Sequence, residues 1–160
     1  MSRARIALAA LSLSASALVG IAVHEGYREA AYVPVAGDVA TIGFGTTRHA
    51  DGSPVQRGER TDPVQALTRK LADVQKFEGA LRQCVRVPLH QHEYDAFLSL
   101  AYNIGSGAFC ASTLVRLLND GRYREACEQI LRWDKFQGRP LRGLTLRRQA
   151  ERRQCLAEGA

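Results

Sequence analysis

Ile6 to Val23 is a run of eighteen residues without a charge, IALAALSLSASALVGIAV, and Arg3 and Arg5 stand just before it. Basic residues ahead of an apolar run hold the N-terminus on the cytoplasmic side of a membrane. As a helix rising about 1.5 Å per residue, the run is roughly 27 Å long, just enough for a bilayer core. It reads as an export signal. Ten of its residues are Ala, Ser or Gly, which contribute little transfer free energy, so its hold on lipid is weak. An uncleaved anchor is the expectation. The alternatives are a signal peptide cut at the small-x-small site Ala15-Ser16-Ala17 and an N-terminal helix buried in the protein.

Beyond this run the chain has ordinary globular composition: 160 residues in all, 46% hydrophobic, 24% charged, with 14 Gly and 5 Pro. Collagen-like and disordered classes are excluded. Lys and Arg number 22 against 16 Asp and Glu, a net charge of +6, which favours an anionic partner without choosing among nucleic acid, lipid and cell-envelope polymer. Cys84, Cys110, Cys127 and Cys155 form no C-x-x-C and have no His at zinc-finger spacing, so neither metal nor cofactor is expected. Disulfides in an oxidising compartment agree with export. Four cysteines allow three pairings, and independent buried thiols are the other reading.

From His24 to about Pro54 the sequence is short and glycine-punctuated. Strands are expected over Tyr32 to Val35 and Val39 to Phe44, with Gly37-Asp38 in the turn between. Thr61-Asp62-Pro63 then opens a long helix to about Gln83, whose Val64, Leu67, Leu71, Val74 and Phe77 recur at helical spacing, and which can bridge two lobes. Pro88 precedes a helix with Tyr94, Phe97, Leu98, Ala101 and Tyr102 on one face, ending near Gly105. Ser112 or Thr113 caps a helix carrying Leu114, Leu117 and Leu118, stopped by Asn119-Asp120-Gly121. A helix over Tyr123 to Trp133, a loop over Gly138 to Gly143 and a last helix from about Thr145 to Ala157 complete an α+β, mostly helical chain.

Chemistry concentrates just after the apolar run. Glu25 follows Val23 by two residues, on a helix that buries Leu18, Ile21 and Ala22. A carboxylate at the edge of such a face suits a general acid; its bland reading is a solvated helix-end Glu. Gly37 to Gly45 alternates glycines with apolar residues, which lets a strand pass close to a ligand or another backbone. No Lys-Ser or Lys-Thr follows, so it is not a phosphate loop.

Taken in order, Glu25-Gly26-Tyr27-Arg28, Ala31-Tyr32, Thr41-Ile42-Gly43-Phe44-Gly45, Tyr94-Asp95-Ala96-Phe97, Tyr102-Asn103-Ile104-Gly105, Ala108-Phe109, Arg132-Trp133 and Gly143-Leu144 with Arg147-Arg148 and Glu151 resemble the phage lysozymes of glycoside hydrolase family 24. The resemblance runs from residue 24 to about 157, and the apolar leader resembles the signal-arrest-release segment of membrane-tethered endolysins. It implies a lysozyme-like fold, with a small β-hairpin lobe and a larger helical lobe joined by a long helix. Residues 1–23 would be the signal-anchor and 24–160 the catalytic domain. The implied activity is hydrolysis of the β-1,4 bond between N-acetylmuramic acid and N-acetylglucosamine in peptidoglycan, with inversion, leading to host cell lysis by a monomer held at the inner membrane and then free in the periplasm. Glu25 would be the acid and Thr41 would help hold the attacking water; inversion leaves roughly 6.5 to 9.5 Å between carboxylates for that water. Tyr102, Asn103 and Arg132 match residues of the saccharide cleft, and Arg147 the arginine that pairs with the catalytic Glu. The same likeness suggests Cys127 with Cys155 and Cys84 with Cys110.

The chain departs from the family in its second carboxylate. The family's Asp lies two residues after the tyrosine matched by Tyr32, where this chain has Pro34, and the segment to Thr41 is one residue longer. Asp38 is the hairpin's only carboxylate, and two readings stand: a base in a shifted position, or a turn residue. Thr46 replaces a histidine frequent in the family. Tyr102 has core packing as its other reading, and Trp133 reads as core rather than sugar platform. The six arginines from Arg139 to Arg153 read as a solvated basic face or as attraction to an anionic envelope. A lytic transglycosylase using Glu25 alone and a non-catalytic, membrane-anchored peptidoglycan-binding module are the competing functions. Nucleic acid is not expected as a partner, since no stacking aromatics interleave the basic residues. If the apolar run lies in lipid, Leu18 to Val23 cannot also pack beneath Glu25, so the tethered form is expected to be inactive.

Overall fold

The computed structural model describes residues 4–34 and 36–158; Arg3 and Val35, invoked above, lie outside them. The chain divides into two compact units, Leu18–Gln75 and the N-terminal residues to Ala17 together with those from Lys76 onward.

The smaller unit contains the last turns of α1 (Ala15–Glu25), then β1 (Arg28–Tyr32), β2 (Thr41–Gly43) and the first half of α2 (Pro63–Cys84). β1 starts earlier than the expected Tyr32 and is not shorter, whereas β2 starts later than the expected Val39 and is shorter. They pair antiparallel, Arg28 opposite Gly43 and Tyr32 opposite Thr41, with an irregularity between. The other edge of β1 is occupied: Ala31 N–H donates to Glu59 O and Thr61 N–H to Glu29 O, each at 2.9 Å. Ile42 and Thr46 exchange backbone bonds of 2.9 and 3.0 Å, closing a tight turn over Gly43-Phe44-Gly45. Gly43 has φ of 63°, and a Cβ there would sit 2.8 Å from Ala66 Cβ, so only glycine lets β2 lie directly on α2. Ile21, Ile42, Val55, Ala66 and Val74 of this unit are all buried.

Asp62 starts α2 by accepting the Gln65 N–H at 2.9 Å, and Pro63 supplies a preset φ at the first helical position. The buried face differs from the expected one. Val64 is 76% exposed and Leu71 36%, whereas Ala66, Lys70, Val74, Glu78 and Leu81 are buried. Two charged residues lie on this inner stripe, and apolar periodicity assigns charge to the solvent side.

The larger unit is built from the second half of α2 with α3 (Gln91–Ile104), α4 (Ser106–Cys110), α5 (Thr113–Asn119), α6 (Tyr123–Gln129) and α7 (Arg142–Cys155). His90 and Glu93 close a capping box at the start of α3, and Ser112 Oγ caps α5 by accepting the Val115 N–H at 3.2 Å. Tyr94, Phe97, Leu98 and Ala101 of α3 are buried as expected. The helix expected over Tyr123 to Trp133 becomes a 3-10 turn at Ile130–Trp133. The expected loop before α7 contains a two-residue ladder, β3 (Lys135–Phe136) with β4 (Arg139–Pro140). Cys84–Cys110 and Cys127–Cys155 are disulfides, the pairing that the family likeness suggested.

The apolar N-terminal run is not one helix here. Ile6 and Leu89 exchange backbone bonds of 2.9 Å, Leu8–Ala10 is a 3-10 turn, and the chain stays non-helical until Ser14 Oγ accepts the Ala17 N–H at 3.1 Å and opens α1. Polar groups hold the intervening stretch: Glu78 accepts the Leu13 N–H at 2.7 Å, Asp95 the Ser14 hydroxyl at 2.6 Å, and Leu11 O receives Arg82 at 2.8 Å. Glu78 also accepts the Tyr94 hydroxyl at 2.8 Å; burial first, and that bond second, push the phenol above its ordinary range. Leu8 and Leu11 are buried. Among the described residues no helix is long and apolar enough to cross a membrane.

The Cys127–Cys155 bridge is 1% and 2% exposed and closes a sequence separation of 28. Replacing both cysteines with Ala should lower unfolding free energy by about 3 kcal/mol, read from urea unfolding midpoints.

Candidate functional site

Glu25 is the last residue of α1 and is half-buried. Two contacts set the backbone around it. Gly26 N–H donates to Ala22 O at 3.1 Å, and Tyr27 lays its ring on Phe44 of the β2 turn at 5.2 Å while its hydroxyl donates to Thr61 O at 3.1 Å. The end of α1 is therefore fastened to that turn. At Gly45, with φ of 84°, a Cβ would lie 3.1 Å from Glu25 Oε2 and 3.7 Å from Lys70 Nζ. The missing side chain leaves the room in which a carboxylate and an ammonium approach one backbone position.

Thr41 opens β2 and is 7% exposed; its hydroxyl donates to Val39 O at 3.3 Å. A hydroxyl that spends its one proton on a carbonyl turns its lone pairs elsewhere. Asp38 is exposed, and its Oδ1 accepts the Val39 N–H at 2.8 Å. That bond is typical of a turn aspartate, and Oδ2 carries no bond among the described residues. Glu25, Asp38 and Thr41 thus share the smaller unit.

The other expected site residues belong to the larger unit. Tyr102 is half-buried with its ring 5.1 Å from that of Phe77. Asn103, exposed on the last turn of α3, accepts from Arg148 Nη2 at 2.8 Å. Arg132 is exposed and reaches Gln129 at 3.5 Å; with Trp133, Ser112 and Thr113 they border a cavity of about 290 Å³. Trp133, expected in the core, is half-exposed on that cavity. Arg147 is buried and donates to Glu151 Oε1 at 3.1 Å and to Ser99 O at 3.3 Å. The basic stretch is accordingly not one solvated face: Arg147 and Arg148 are buried, and Arg152 is tied to Glu128 at 2.7 Å and Glu158 at 2.9 Å.

Sequence reasoning missed Lys70, fully buried against the Gly45 turn, and Arg148, likewise 0% exposed. The available signal for Lys70 was its place four residues from both Ala66 and Val74. Among the described residues no group of three or more His, Cys, Asp or Glu is arranged to hold a metal ion.

The chain resembles known proteins over nearly its whole length. It is 37% identical over 125 residues to the endolysin of Salmonella phage P22, an alignment covering 78% of this chain and 85% of that one. The SAR-endolysin of Pseudomonas phage phiKMV is 35% identical over 146 residues, 89% of this chain and 87% of its own. The structure of an endolysin from Escherichia coli O157:H7 phage FAHEc1 superposes with a TM-score of 0.84 at 36% identity, covering 92% of this chain and 94% of that one. The phage lysozyme family model matches residues 22–151, the stretch that holds Glu25, the Thr41 hairpin and the buried arginines of α7, and the chain belongs to the phage lysozyme family.

Proposed function

We propose that this chain is an endolysin acting as a muramidase: it hydrolyses the β-1,4 bond between N-acetylmuramic acid and N-acetylglucosamine in peptidoglycan and so lyses the host cell. The observation that carries this reading is the Glu25 carboxylate lying against Gly45, at the end of the hairpin that Thr41 begins, in a chain of this family. Glu25 gives its proton to the glycosidic oxygen as the bond to the anomeric carbon breaks. Water attacks the opposite face of the sugar, and the configuration inverts. Thr41, its proton engaged with Val39 O, accepts a hydrogen bond from that water. Asp38, the one carboxylate between the two strands, takes the proton the water loses. Tyr102, Asn103 and Arg132 hold the glycan in the roles the family resemblance assigns them. Gly45 takes its left-handed φ without strain and, lacking a side chain, leaves the room that Glu25 occupies.

On purified peptidoglycan, Glu25→Gln should lower kcat by about 10²- to 10⁴-fold, the usual contribution of a general acid. Asp38→Asn should lose about 10²-fold on the same assay; full activity in that variant would reduce Asp38 to a turn residue.

Residues 6–23 serve as the tether to the host inner membrane and residues 24–160 as the catalytic domain, which acts as a monomer once it is released to the periplasm. The SAR-endolysin relatives support this order of events. Ala10 and Ser12 are exposed in the folded protein, so Leu at both positions adds apolar surface to the tether at little cost to the fold. Such a variant should be held in the membrane more firmly, at about 0.8 kcal/mol per added CH₂. Lysis in culture should start later than with the wild type, and an unchanged lysis time would count against the tether.

A further inference from the structure

Arg148 is the largest fully buried side chain among the described residues, 0% exposed. Its guanidinium stands 3.0 Å from Glu151 Oε2 through Nε, but that approach is not aligned as a hydrogen bond. Among the described residues Nε and Nη1 are both buried without a hydrogen-bond partner. The one aligned bond it makes among the described residues runs from Nη2 to Asn103 Oδ1, at 2.8 Å. Burial brings Arg148 down to about 10, which still leaves it a cation at neutral pH. A buried cation is costly unless it is well paired, and among the described residues most of its donors make no hydrogen bond. Its neighbours keep it in place: Glu151 Oε1 receives the Ser99 hydroxyl at 2.7 Å and Arg147 Nε at 3.1 Å.

A guanidinium has donors only. The Asn103 atom facing it must therefore be the oxygen, and the exposed end of the amide must be the NH₂. We propose that Arg148 is a positioning residue that fixes Asn103 with its NH₂ outward, so that Asn103 recognises a carbonyl oxygen on the peptidoglycan and rejects a donor at that point. This rests on the muramidase reading, in which Asn103 meets the glycan. The polymer offers carbonyl oxygens from two sources, the acetamido groups of its sugars and the stem peptides on its lactyl ethers.

Asn103→Asp tests this while preserving the fold, because an oxygen still faces Arg148 and the new charge strengthens that bond. The outward donor becomes an acceptor. The apparent KM on soluble glycan strands should rise about tenfold or more, with kcat within about twofold and the thermal midpoint unchanged or higher. The rise should persist at high ionic strength, where simple repulsion between the new carboxylate and an anionic polymer is screened. A rise on both intact and amidase-stripped strands assigns the contact to an acetamido group; a rise on intact strands alone assigns it to the stem peptide. An unchanged KM on both, or a rise that vanishes in high salt, overturns the proposal. Wild-type protein inactive on both substrates would instead overturn the muramidase reading beneath it.

Discussion

The rest of the structure depends on where the apolar N-terminal run is buried. Leu8 and Leu11 are buried in the larger unit, and Ile21 and Ala22 in the smaller. Each large aliphatic side chain so buried contributes about 1.5–3 kcal/mol. The polar contacts are more restrictive than the apolar ones. Glu78 and Asp95, 5% and 3% exposed, take the amides of Leu13 and Ser14, which are free because the chain is not helical there. A bilayer requires those amides to bond within a helix. The same residues cannot satisfy both partners, so under the tether proposed above, leaving lipid and completing the larger unit would be one event. Glu25 sits at the end of the helix that begins where those contacts stop.

Legibility in the sequence followed whether a buried face was purely apolar. The face of α5 is, and its extent, cap and terminating residues were readable in advance; α3 was found by its apolar stripe, but its buried Glu93, Asp95 and Ser99 and its His90 cap were not. The inner face of α2 passes through Lys70 and Glu78, which pattern reading sends to solvent, so the helix was found with its face rotated. β3 and β4 are two residues each, too short for alternation to register. The disulfide pairing came through family likeness, since spacing alone leaves all three pairings open.

At the site the same division holds. Glu25 and the Thr41 to Gly45 segment were singled out through the family resemblance; pattern alone read Val39 to Phe44 as one strand and did not show the tight turn over Gly43 to Gly45. Lys70 was not singled out, and Arg148 was named among the family motifs but given no role. Charged side chains are so rarely buried that a sequence reading assigns them outward by default, and only the packing of a second element shows which ones turn in. Lys70 lies beside the Gly45 turn and Arg148 beneath Asn103. In both places the buried charge lies next to a residue assigned to substrate or catalysis, where an exact position matters more than the stability lost in burying it.

That cost also bears on how the chain meets an anionic polymer. A net charge of +6 suggests a broad basic surface, yet many of the cations are used internally. Arg5 is bound to Glu93 at 2.7 Å with its guanidinium 3.6 Å above the Tyr123 ring, Arg60 to Glu29, Arg122 to Glu125, and Arg152 to two acids. Of the arginines from 139 to 153, Arg139, Arg142 and Arg153 are exposed. The attraction is therefore supplied by scattered single charges rather than by a dense helical stripe. Scattered charges draw an extended polyanion toward the protein without fixing its register, and they are screened beyond about 8 Å at physiological salt. Register has to come from groups whose orientation is locked, and in the proposal above the amide of Asn103, held by a buried guanidinium, would be one of these.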